Sequence, residues 1–398
     1  MAGAATRGLP GVSLARALVS RMQFRCCQPP QRPMSCGTPM PHSARCPGEQ
    51  PGVQRSPCLG MQKPAPSSPH LLSCVAAVDD RALLARLAGG RLSGDALARD
   101  AGLTRAAVWK RIQNLRAAGV DIEGRAGDGY RLATPLDLLD AARIRAGMAP
   151  DAVAGLAALD VAWTLESTNT TLLAQPAPEQ GVAVLLAERQ TGGRGRRGRQ
   201  WTSPLGAHIY LSASRRFSGG LGQLAGLSLA VGVAVAEALR GCGFADVGLK
   251  WPNDLLARER KLGGLLIEGG GEMAGNARAV IGLGLNVHMP AAAAAGIDQP
   301  WVDLDTLAGR PVSRDQVTAA VLSGLLPALD LFEAQGLAPF LGRYAALDLL
   351  SGRAVQVEEA GTRHHGVALG LAADGALRVQ LGDTVRLFHS GEVSVRPA

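Results

Sequence analysis

The first regular hydrophobic pattern in the chain has helical spacing. Its apolar residues recur three and four positions apart on one predicted face (Leu83, Leu84 and Leu87). Asp79-Asp80 is a candidate N-cap, and Gly89-Gly90 marks the end of this helix. The pattern predicts a short amphipathic helix that needs neighbours to cover its apolar face.

Two more helices follow at once. Ser93 is a candidate N-cap for a helix over residues 96–100, Gly102 supplies a turn, and Thr104 is a candidate N-cap for a third helix. The apolar side of the third helix is Val108, Ile112 and Leu115. Residues 120–123 and 130–132 then form a predicted hairpin around Gly and Asp residues that tolerate positive φ. Helix, turn, helix and hairpin in this order predict a winged helix-turn-helix domain.

The pattern changes to alternating strands and helices from about Thr164 to Leu347. Apolar, β-rich segments cover residues 182–187, 209–212, 264–268 and 279–285, and helical segments cover residues 223–240 and 313–335. From Gly352 onward, apolar and polar residues alternate in short strands separated by glycine turns, which is typical of a small SH3-like β-barrel. The sequence therefore predicts an α+β multidomain fold with a winged helix-turn-helix, a central α/β domain and a C-terminal β-barrel.

Charge separates the first part of the 398-residue chain from the rest. The net charge is +8, but residues 1–74 hold eight basic side chains and a single acid, so the remainder carries only +1. The first 74 residues also contain six of the seven cysteines and many prolines, without apolar periodicity. We expect the division 1–75 (leader), 76–140, 141–350 and 351–398.

The leader has three open interpretations. It is read as disordered and basic, it resembles an organelle transit peptide faintly over Met1 to Arg25, and translation could begin later, near Met61. A zinc cluster is disfavoured because the cysteine spacings contain no C-x2-C pair. The single later cysteine, Cys242, fits a reducing cytoplasm, and the apolar run 224–236 is too short to span a bilayer. We expect a cytoplasmic protein without a membrane partner.

The third helix carries long polar side chains away from its apolar face. Such side chains can reach bases and phosphates in a major groove. The candidate DNA-binding residues are Thr104, Arg105, Trp109, Lys110 and Arg111. The alternative is a solvated basic surface on three small packed helices.

Three motifs in the central domain carry candidate chemistry. Residues 193–199 place four arginines among glycines and precede Trp201, which suits a loop that surrounds an anion. Residues 250–254 read Lys-Trp-Pro-Asn-Asp, and residues 261–268 begin with Lys261 before two glycines and an apolar strand. The loop lacks the Gly-Lys-Ser/Thr ending of a phosphate loop, and on its own an Arg/Gly segment could equally bind RNA.

Together these motifs resemble the bifunctional biotin-protein ligases, the family that includes the biotin operon repressors. The resemblance runs from about Asp79 to Pro397. It rests on residues 166–169, Gln190 with residues 193–199 and Trp201, residues 250–254, 261–268 and 282–286, the helix-turn-helix and wing, and residues 390–394 of the C-terminal barrel.

The resemblance implies a reaction in two steps and a role for each motif. Biotin attacks the α-phosphate of Mg-ATP to give biotinyl-5′-AMP, and a lysine of an acceptor protein then takes the biotinyl group. Fixed cations lower the barrier where two anions meet. The implied catalytic residues are Lys261, Arg196 and Arg194. The implied biotin-binding residues are Ser167, Thr168, Asn169, Gln190, Arg194, Gly195, Arg196 and Lys261. The implied ATP or adenylate contacts are Trp201, Asn253, Asp254, Gly264, Asn286 and Trp301. No metal-binding residues are assigned; Mg²⁺ is expected with ATP.

The same resemblance implies the partners. They are the biotin carboxyl carrier protein of acetyl-CoA carboxylase, operator DNA, and a second copy of the chain after adenylate binding. Two alternatives stay open: a lipoate-protein ligase, and a repressor that senses a ligand without ligase activity.

Overall fold

The computed structural model describes residues 75–125, 127–271, 275–359, 361–390 and 393–397. The predicted leader therefore lies outside the described residues, apart from Val75, where the first helix begins. Within the described part, the helices are α1 (Val75–Ala88), α2 (Gly94–Ala101), α3 (Arg105–Ala117), α4 (Ala141–Gly147), α5 (Pro150–Ala154), α6 (Thr168–Ala174), α7 (Leu227–Gly241), α8 (Ala291–Ala294), α9 (Leu304–Ala308), α10 (Arg314–Gln335) and α11 (Ala338–Ala345).

The strands build three sheets. Their bounds are β1 (Ile122–Arg125), β2 (Gly129–Leu132), β3 (Leu156–Leu165), β4 (Val182–Gln190), β5 (Ile209–Phe217), β6 (Val247–Lys250), β7 (Asp254–Ala257), β8 (Arg260–Gly271), β9 (Ala277–Leu285), β10 (Ala354–Glu359), β11 (Thr362–Leu371), β12 (Leu377–Leu381), β13 (Thr384–Phe388) and β14 (Val393–Pro397). The predicted fold class is confirmed: a helix-turn-helix with a β-hairpin, a central α/β region and a C-terminal antiparallel sheet follow one another.

Two of the three predicted helix caps are present. Ser93 Oγ accepts a hydrogen bond from Ala96 N at 3.1 Å, and Thr104 Oγ1 accepts one from Ala107 N at 3.2 Å. Gly102 ends α2 in the left-handed conformation, with φ 63°, a geometry that glycine adopts without steric cost. The turn between α2 and α3 is thus set by local chemistry at three positions.

The predicted cap of α1 at Asp79-Asp80 is wrong. The helix begins at Val75, which places both aspartates inside it. Asp80 Oδ1 instead forms an ion pair with Arg111 Nη1 on α3, at 2.8 Å. An anion near the start of an apolar pattern has the same sequence signature whether it caps its own helix or pairs with another.

The central sheet has seven strands in the order β3-β4-β5-β9-β8-β7-β6. β3 and β4 are parallel, and every other neighbouring pair is antiparallel. Alternation along β4 separates the two faces: Val184 and Leu186 belong to the main core with α7 and α10, whereas Leu185 packs with Leu172 of α6 and Val280. The helix α6 therefore covers the face opposite to α7 and α10.

Two of the described helical stretches, Leu221–Gly241 and Arg314–Gln335, are long and apolar enough to cross a membrane. In each, 56% of the apolar window is buried inside the molecule. Burial of this kind is typical of core helices in a soluble domain, and both stretches contribute to the main core.

The C-terminal sheet has the order β13-β12-β11-β10-β14 and is antiparallel throughout. Its buried residues, among them Val355 and Phe388, are continuous with the main core. The buried indole of Trp251 donates from Nε1 to Gly375 O at 3.1 Å, in the turn before β12. Trp251, which lies within the Lys-Trp-Pro-Asn-Asp motif, therefore fixes the C-terminal sheet against the central domain.

The winged helix domain is completed by a segment of the central domain. Leu205 is only 3% exposed and belongs to the same core as α1, α2 and α3. Its N–H donates to Ala118 O at 2.8 Å. Gly119 has φ +97°, and a Cβ there would lie 2.6 Å from Pro204 Cβ, so this contact requires glycine.

A buried ion pair anchors the linker between these two regions. Glu188 and Arg314 are 0% and 2% exposed, and Glu188 Oε2 accepts from Arg314 Nη2 at 2.8 Å. The other carboxylate oxygen accepts from Leu139 N at 2.7 Å. Burial raises the pKa of Glu188, and Arg314 opposes that shift. Through these two contacts the Glu188 carboxylate joins β4, the start of α10 and the linker.

Candidate functional site

The candidate site is centred on the start of β8. Register pairs Asp254 of β7 with Gly264 of β8, which brings the Lys-Trp-Pro-Asn-Asp motif beside Lys261. Lys261 Nζ lies 2.8 Å from Asp254 Oδ1 and 5.7 Å from the centre of the Trp201 ring. The Lys261 side chain is 16% exposed. A cation held in this way is largely desolvated yet reachable, as an anion-binding group must be.

A glycine makes room for Trp201. A Cβ at Gly284 would lie 2.4 Å from the indole ring, whereas a Cβ at Gly264 would only be in ordinary contact, 3.5 Å from the ring and 3.4 Å from Lys261 Cε. The Trp201 Nε1 atom is buried and has no hydrogen-bond partner in the described part of the chain. An unpaired buried donor beside a lysine suits an oxygen-rich anionic ligand.

The Gly/Arg loop is shaped by left-handed backbone and by hydrogen bonds. Arg197 has φ 58°, and Gly195 N donates to Arg199 O at 2.7 Å. Arg196 Nη1 donates to Asn253 Oδ1 at 2.9 Å, and Nη2 donates to Ser390 O of the C-terminal domain. Burial lowers the pKa of Arg196, and the Asp254 charge opposes this shift. Arg196 therefore connects the loop to Asn253, just before β7, and to Ser390 of the C-terminal domain.

Arg194, the first arginine of the loop, contacts Glu268 and Thr170 and not the residues that Arg196 contacts. Arg194 Nη2 donates to Glu268 Oε2 at 2.9 Å and to Thr170 Oγ1 at 3.1 Å. Its side chain is 45% exposed. Arg194 thus ties the loop to the end of β8 and to the first turn of α6.

Polar residues at the start of α6 form a buried cluster behind Arg194. Ser167 is the N-cap and accepts from Thr170 N at 3.4 Å. Thr168 N donates to Gln190 Oε1 at 2.8 Å. Ser212 Oγ, on β5, lies 2.6 Å from Thr168 Oγ1 and 2.5 Å from Asn169 Oδ1.

The glycine at position 282 belongs to this cluster. A Cβ at Gly282 would lie 2.5 Å from Asn169 Oδ1. Gly282 therefore leaves the space that the Asn169 amide fills, so this part of the Gly-Leu-Gly-Leu-Asn motif serves packing of the polar cluster.

The predicted adenine-side residues lie behind Lys261. Asn286 is 5% exposed, and its Nδ2 donates to Lys261 O at 3.3 Å and to Val302 O at 3.2 Å. Lys261 N donates to Pro300 O at 2.9 Å, so Trp301 is the β-bridge partner of Lys261. The amide of Asn286 is thus used to hold the main chain on both sides of the lysine.

The exposed side of α3 carries most of the predicted DNA-contacting residues. Thr104, Arg105 and Lys110 are exposed, and Trp109 is 52% exposed. Arg105 Nε lies 3.1 Å from Asp95 Oδ1 in an ion pair that water surrounds. Arg111 differs: its side chain is 22% exposed and holds Asp80 of α1, so it lies between α3 and α1 and not on the exposed side.

The structure also identifies residues that sequence reasoning missed. Ser212 is fully buried among the predicted ligand-binding residues. Its only sequence signal is a serine at the end of the apolar segment 209–212. Glu268 is the last residue of the 261–268 motif, but nothing in the sequence shows that its carboxylate accepts from both Asn169 and Arg194. Within the described ranges, no group of three His, Cys, Asp or Glu residues could hold a metal ion.

Comparison with known families matches all three regions. The Biotin/lipoate A/B protein ligase family matches residues 161–286, an HTH domain matches residues 81–131, and the Biotin protein ligase C terminal domain matches residues 350–396. The first match contains Lys261, Asp254, Arg194 and Arg196.

Individual relatives cover most of the chain. The Bifunctional ligase/repressor BirA of Escherichia coli (strain K12) is 38% identical over 317 residues, which is 79% of this chain and 97% of that protein. The Biotin--[acetyl-CoA-carboxylase] ligase of Mycobacterium tuberculosis is 35% identical over 243 residues, 59% of this chain and 88% of that protein. The chain belongs to the biotin protein ligase family. Within that family, the relatives that this chain matches over 97% of their length, including the helix-turn-helix, are bifunctional ligase/repressors.

A solved structure agrees with this assignment. The biotin protein ligase from Aquifex aeolicus in complex with biotin and ATP has a TM-score of 0.52 and 26% identity. It is matched over 100% of its own length and 61% of this chain.

Proposed function

We propose that the chain is an ATP-dependent ligase that forms biotinyl-5′-AMP and transfers biotin to a lysine of the biotin carboxyl carrier protein. The observation that carries the proposal is the meeting of Lys261, Asp254 and the unpaired Trp201 Nε1 at the start of β8. The chemistry joins a carboxylate to a phosphate, and both are anions. A desolvated lysine between them offsets their repulsion in the transition state.

The two ends of the site are proposed to bind different parts of the substrates. The polar cluster of Ser167, Thr168, Asn169 and Gln190 offers hydrogen bonds to the uncharged bicyclic end of biotin. Lys261 and Arg196 offer charge to the carboxylate and the α-phosphate, with Gly195 between the loop arginines. Gly264, Asn286 and Trp301 are proposed on the adenine side, beside Asn253.

In the first step, a biotin carboxylate oxygen forms a bond to the α-phosphorus and pyrophosphate leaves. In the second, the acceptor lysine amine attacks the biotinyl carbonyl, AMP leaves, and the amine loses a proton. Both steps depend on positioning and on charge stabilisation by this chain's side chains. Mg²⁺ is proposed to enter with ATP, since Asp254 is a single carboxylate already paired with Lys261.

We further propose that the chain represses transcription by binding operator DNA through α3. The exposed Arg105, Trp109 and Lys110 face solvent together on that helix. One recognition helix reads one half-site, so we propose a cytoplasmic protein that binds a two-fold operator as a homodimer when it carries the adenylate. Equal association of the chain with and without biotinyl-AMP in sedimentation would contradict this part.

The ligase proposal is tested with purified protein, ATP, labelled biotin and a carrier domain. We expect label on the acceptor lysine and none on a carrier in which that lysine is replaced by arginine. Labelled lipoate in a parallel reaction tests the alternative substrate. Transfer of lipoate with no transfer of biotin would replace the proposal, and transfer of neither would leave a ligand-sensing repressor.

A further inference from the structure

One carboxylate in the site has no role in the reaction described above. Glu268 lies near the end of β8, and its side chain is 24% exposed. Its Oε2 atom accepts from Asn169 Nδ2 at 2.9 Å and from Arg194 Nη2 at 2.9 Å. The same oxygen therefore contacts the buried polar cluster and the Gly/Arg loop.

The Glu268 carboxylate and the Leu266 carbonyl together determine how the Asn169 amide is oriented. Asn169 Nδ2 faces Glu268 Oε2 and also Leu266 O, at 3.1 Å. A carboxylate and a carbonyl oxygen only accept hydrogen bonds, so the amide nitrogen must face both of them. The Asn169 oxygen is thereby turned toward Ser212.

The orientation of the Asn169 amide then determines how the hydroxyls of Ser212 and Thr168, which have one proton each, form hydrogen bonds. Asn169 Oδ1 only accepts, so Ser212 donates its proton across the 2.5 Å contact. Thr168 Oγ1 then has two acceptors for its own proton, Ser212 Oγ at 2.6 Å and Gln190 Oε1 at 3.1 Å. Both acceptors belong to the cluster, so the proton of Thr168 is used inside it, and the lone pairs of its oxygen are available as acceptors.

Gln190 completes the arrangement with a donor. Its Oε1 accepts from Thr168 N, so its amide nitrogen faces away, toward Gly193, where a Cβ would lie 3.1 Å from Nε2. Among the residues that the structure describes, Gln190 Nε2 has no hydrogen-bond partner. A cyclic urea has a carbonyl acceptor next to N–H donors, which complements one donor and one acceptor side by side.

We infer that Glu268 is a positioning residue for biotin: it orients Asn169, Ser212 and Thr168 so that Thr168 accepts from the ligand, and it holds Arg194 beside the same pocket. The inference rests on the proposed function, since it concerns biotin binding at the same site. Glu268 touches neither Lys261 nor Asp254 in the described contacts. Its effect should therefore fall on biotin affinity and leave ATP binding unchanged.

The test compares two substitutions in full-length protein, with biotin-dependent ATP–pyrophosphate exchange as the assay. Glu268→Met removes the acceptor, whereas Glu268→Gln keeps an acceptor oxygen and loses only the charge. We expect the KM for biotin to rise about thirtyfold in Glu268→Met and about fivefold in Glu268→Gln, because charged hydrogen bonds are stronger than neutral ones. The KM for ATP should stay within about twofold and kcat within about threefold of the parent values.

A matched control and a double substitution separate positioning from general stability. Glu237→Gln removes a carboxylate that pairs with Arg343 on the far helices, and it should leave the KM for biotin unchanged. The double variant Asn169→Leu with Glu268→Met should raise that KM no further than the larger single effect. If Glu268→Met does not fold, Ser212→Ala tests the same chain of hydrogen bonds from Asn169 to Thr168, and it should also raise the KM for biotin.

The outcomes are distinguishable. A parent protein without biotin-dependent exchange rejects the proposed function. If the parent is active but the KM for biotin changes by less than about twofold in folded Glu268→Met, the positioning role alone is rejected. The same criterion applies to Ser212→Ala if Glu268→Met does not fold. Equal increases in the KM values for biotin and ATP, or additive effects with Asn169→Leu, also reject it.

Discussion

Lys261 Nζ lies 2.8 Å from Asp254 Oδ1 and 5.7 Å from the centre of the Trp201 ring. The lysine is thus held by an anion from a neighbouring strand and not by solvent. Its position before the substrates arrive is fixed, so little reorganisation is needed during the reaction.

The first prediction concerns this cation. Lys261→Met should lower the rate of biotinyl-adenylate formation by about 10²–10³, because one preorganised charge is lost where two anions meet. Single-turnover formation of the adenylate measures it. Arg258→Gln, which removes an exposed cation paired with Asp246, is the control and should keep the parent rate. A Lys261→Met rate within tenfold of the parent would remove Lys261 from the proposed mechanism.

The second prediction concerns DNA. Replacing Arg105 and Lys110 together with alanine should abolish binding to duplexes that the parent selects from a random pool, because two cations leave the exposed side of α3. Ligase activity should persist. Arg145→Ala, at an exposed arginine of α4, is the control for loss of a surface charge outside α3. Retained binding by the double variant in a gel shift would contradict the assignment of α3 as the recognition helix.

The third prediction concerns acid stability. Burial, the neighbouring Arg314 charge and His288 lower the pKa of His208 from 6.5 to about 3. Between these values the unfolded chain binds a proton that the folded chain does not. Stability should therefore fall as the pH drops through this window, by up to about 1.4 kcal/mol per pH unit from this residue.

His208→Asn provides the comparison, because an amide oxygen can accept from Val287 N as the imidazole Nδ1 does at 3.1 Å. Urea unfolding at several pH values should give a shallower acid slope for His208→Asn than for the parent. His365→Asn, at an exposed position on β11, should keep the parent slope. Parallel slopes for parent and His208→Asn would show that His208 is protonated in the folded state.

The fourth prediction concerns the buried pair of Glu188 and Arg314. Glu188→Gln leaves the Arg314 charge buried without a counter-ion and should cost about 3–5 kcal/mol in the free energy of unfolding. The double variant Glu188→Gln with Arg314→Met should lose less than the two single variants together. Glu237→Gln, in a half-exposed pair with Arg343, should cost less than about 1 kcal/mol. Additive losses would mean that the two charges do not interact.

Local chemistry made part of this structure predictable. The caps at Ser93 and Thr104, the wing and the long helices follow from patterns that span a few residues, and all are present. The inward position of Arg111 follows from the same periodicity, since it lies three residues after buried Val108 and four residues before buried Leu115. The prediction that Arg111 contacts DNA was wrong because it placed all the charged residues of α3 on one side of the helix.

Contacts between residues that lie far apart in the chain could not be predicted from the sequence. Nothing local places Glu188 against Arg314, 126 positions away, or turns Ser212 toward Asn169. The site residues themselves were predictable only as motifs, because their meeting depends on the order of β7, β8 and β9 in the sheet. Sheet order is set by packing of the complete core and has no signature within any one strand.

The insertion of Leu205 into the core of the winged helix region has a consequence for how such chains can be recombined. The gene segment that encodes α1 to β2 lacks one side chain of its own hydrophobic interior, which is encoded more than 70 codons downstream. A chimaera that exchanges the N-terminal module between relatives must therefore exchange Pro204 and Leu205 with it. Inheritance of operator preference is thereby linked to inheritance of a loop that begins beside the adenylation site.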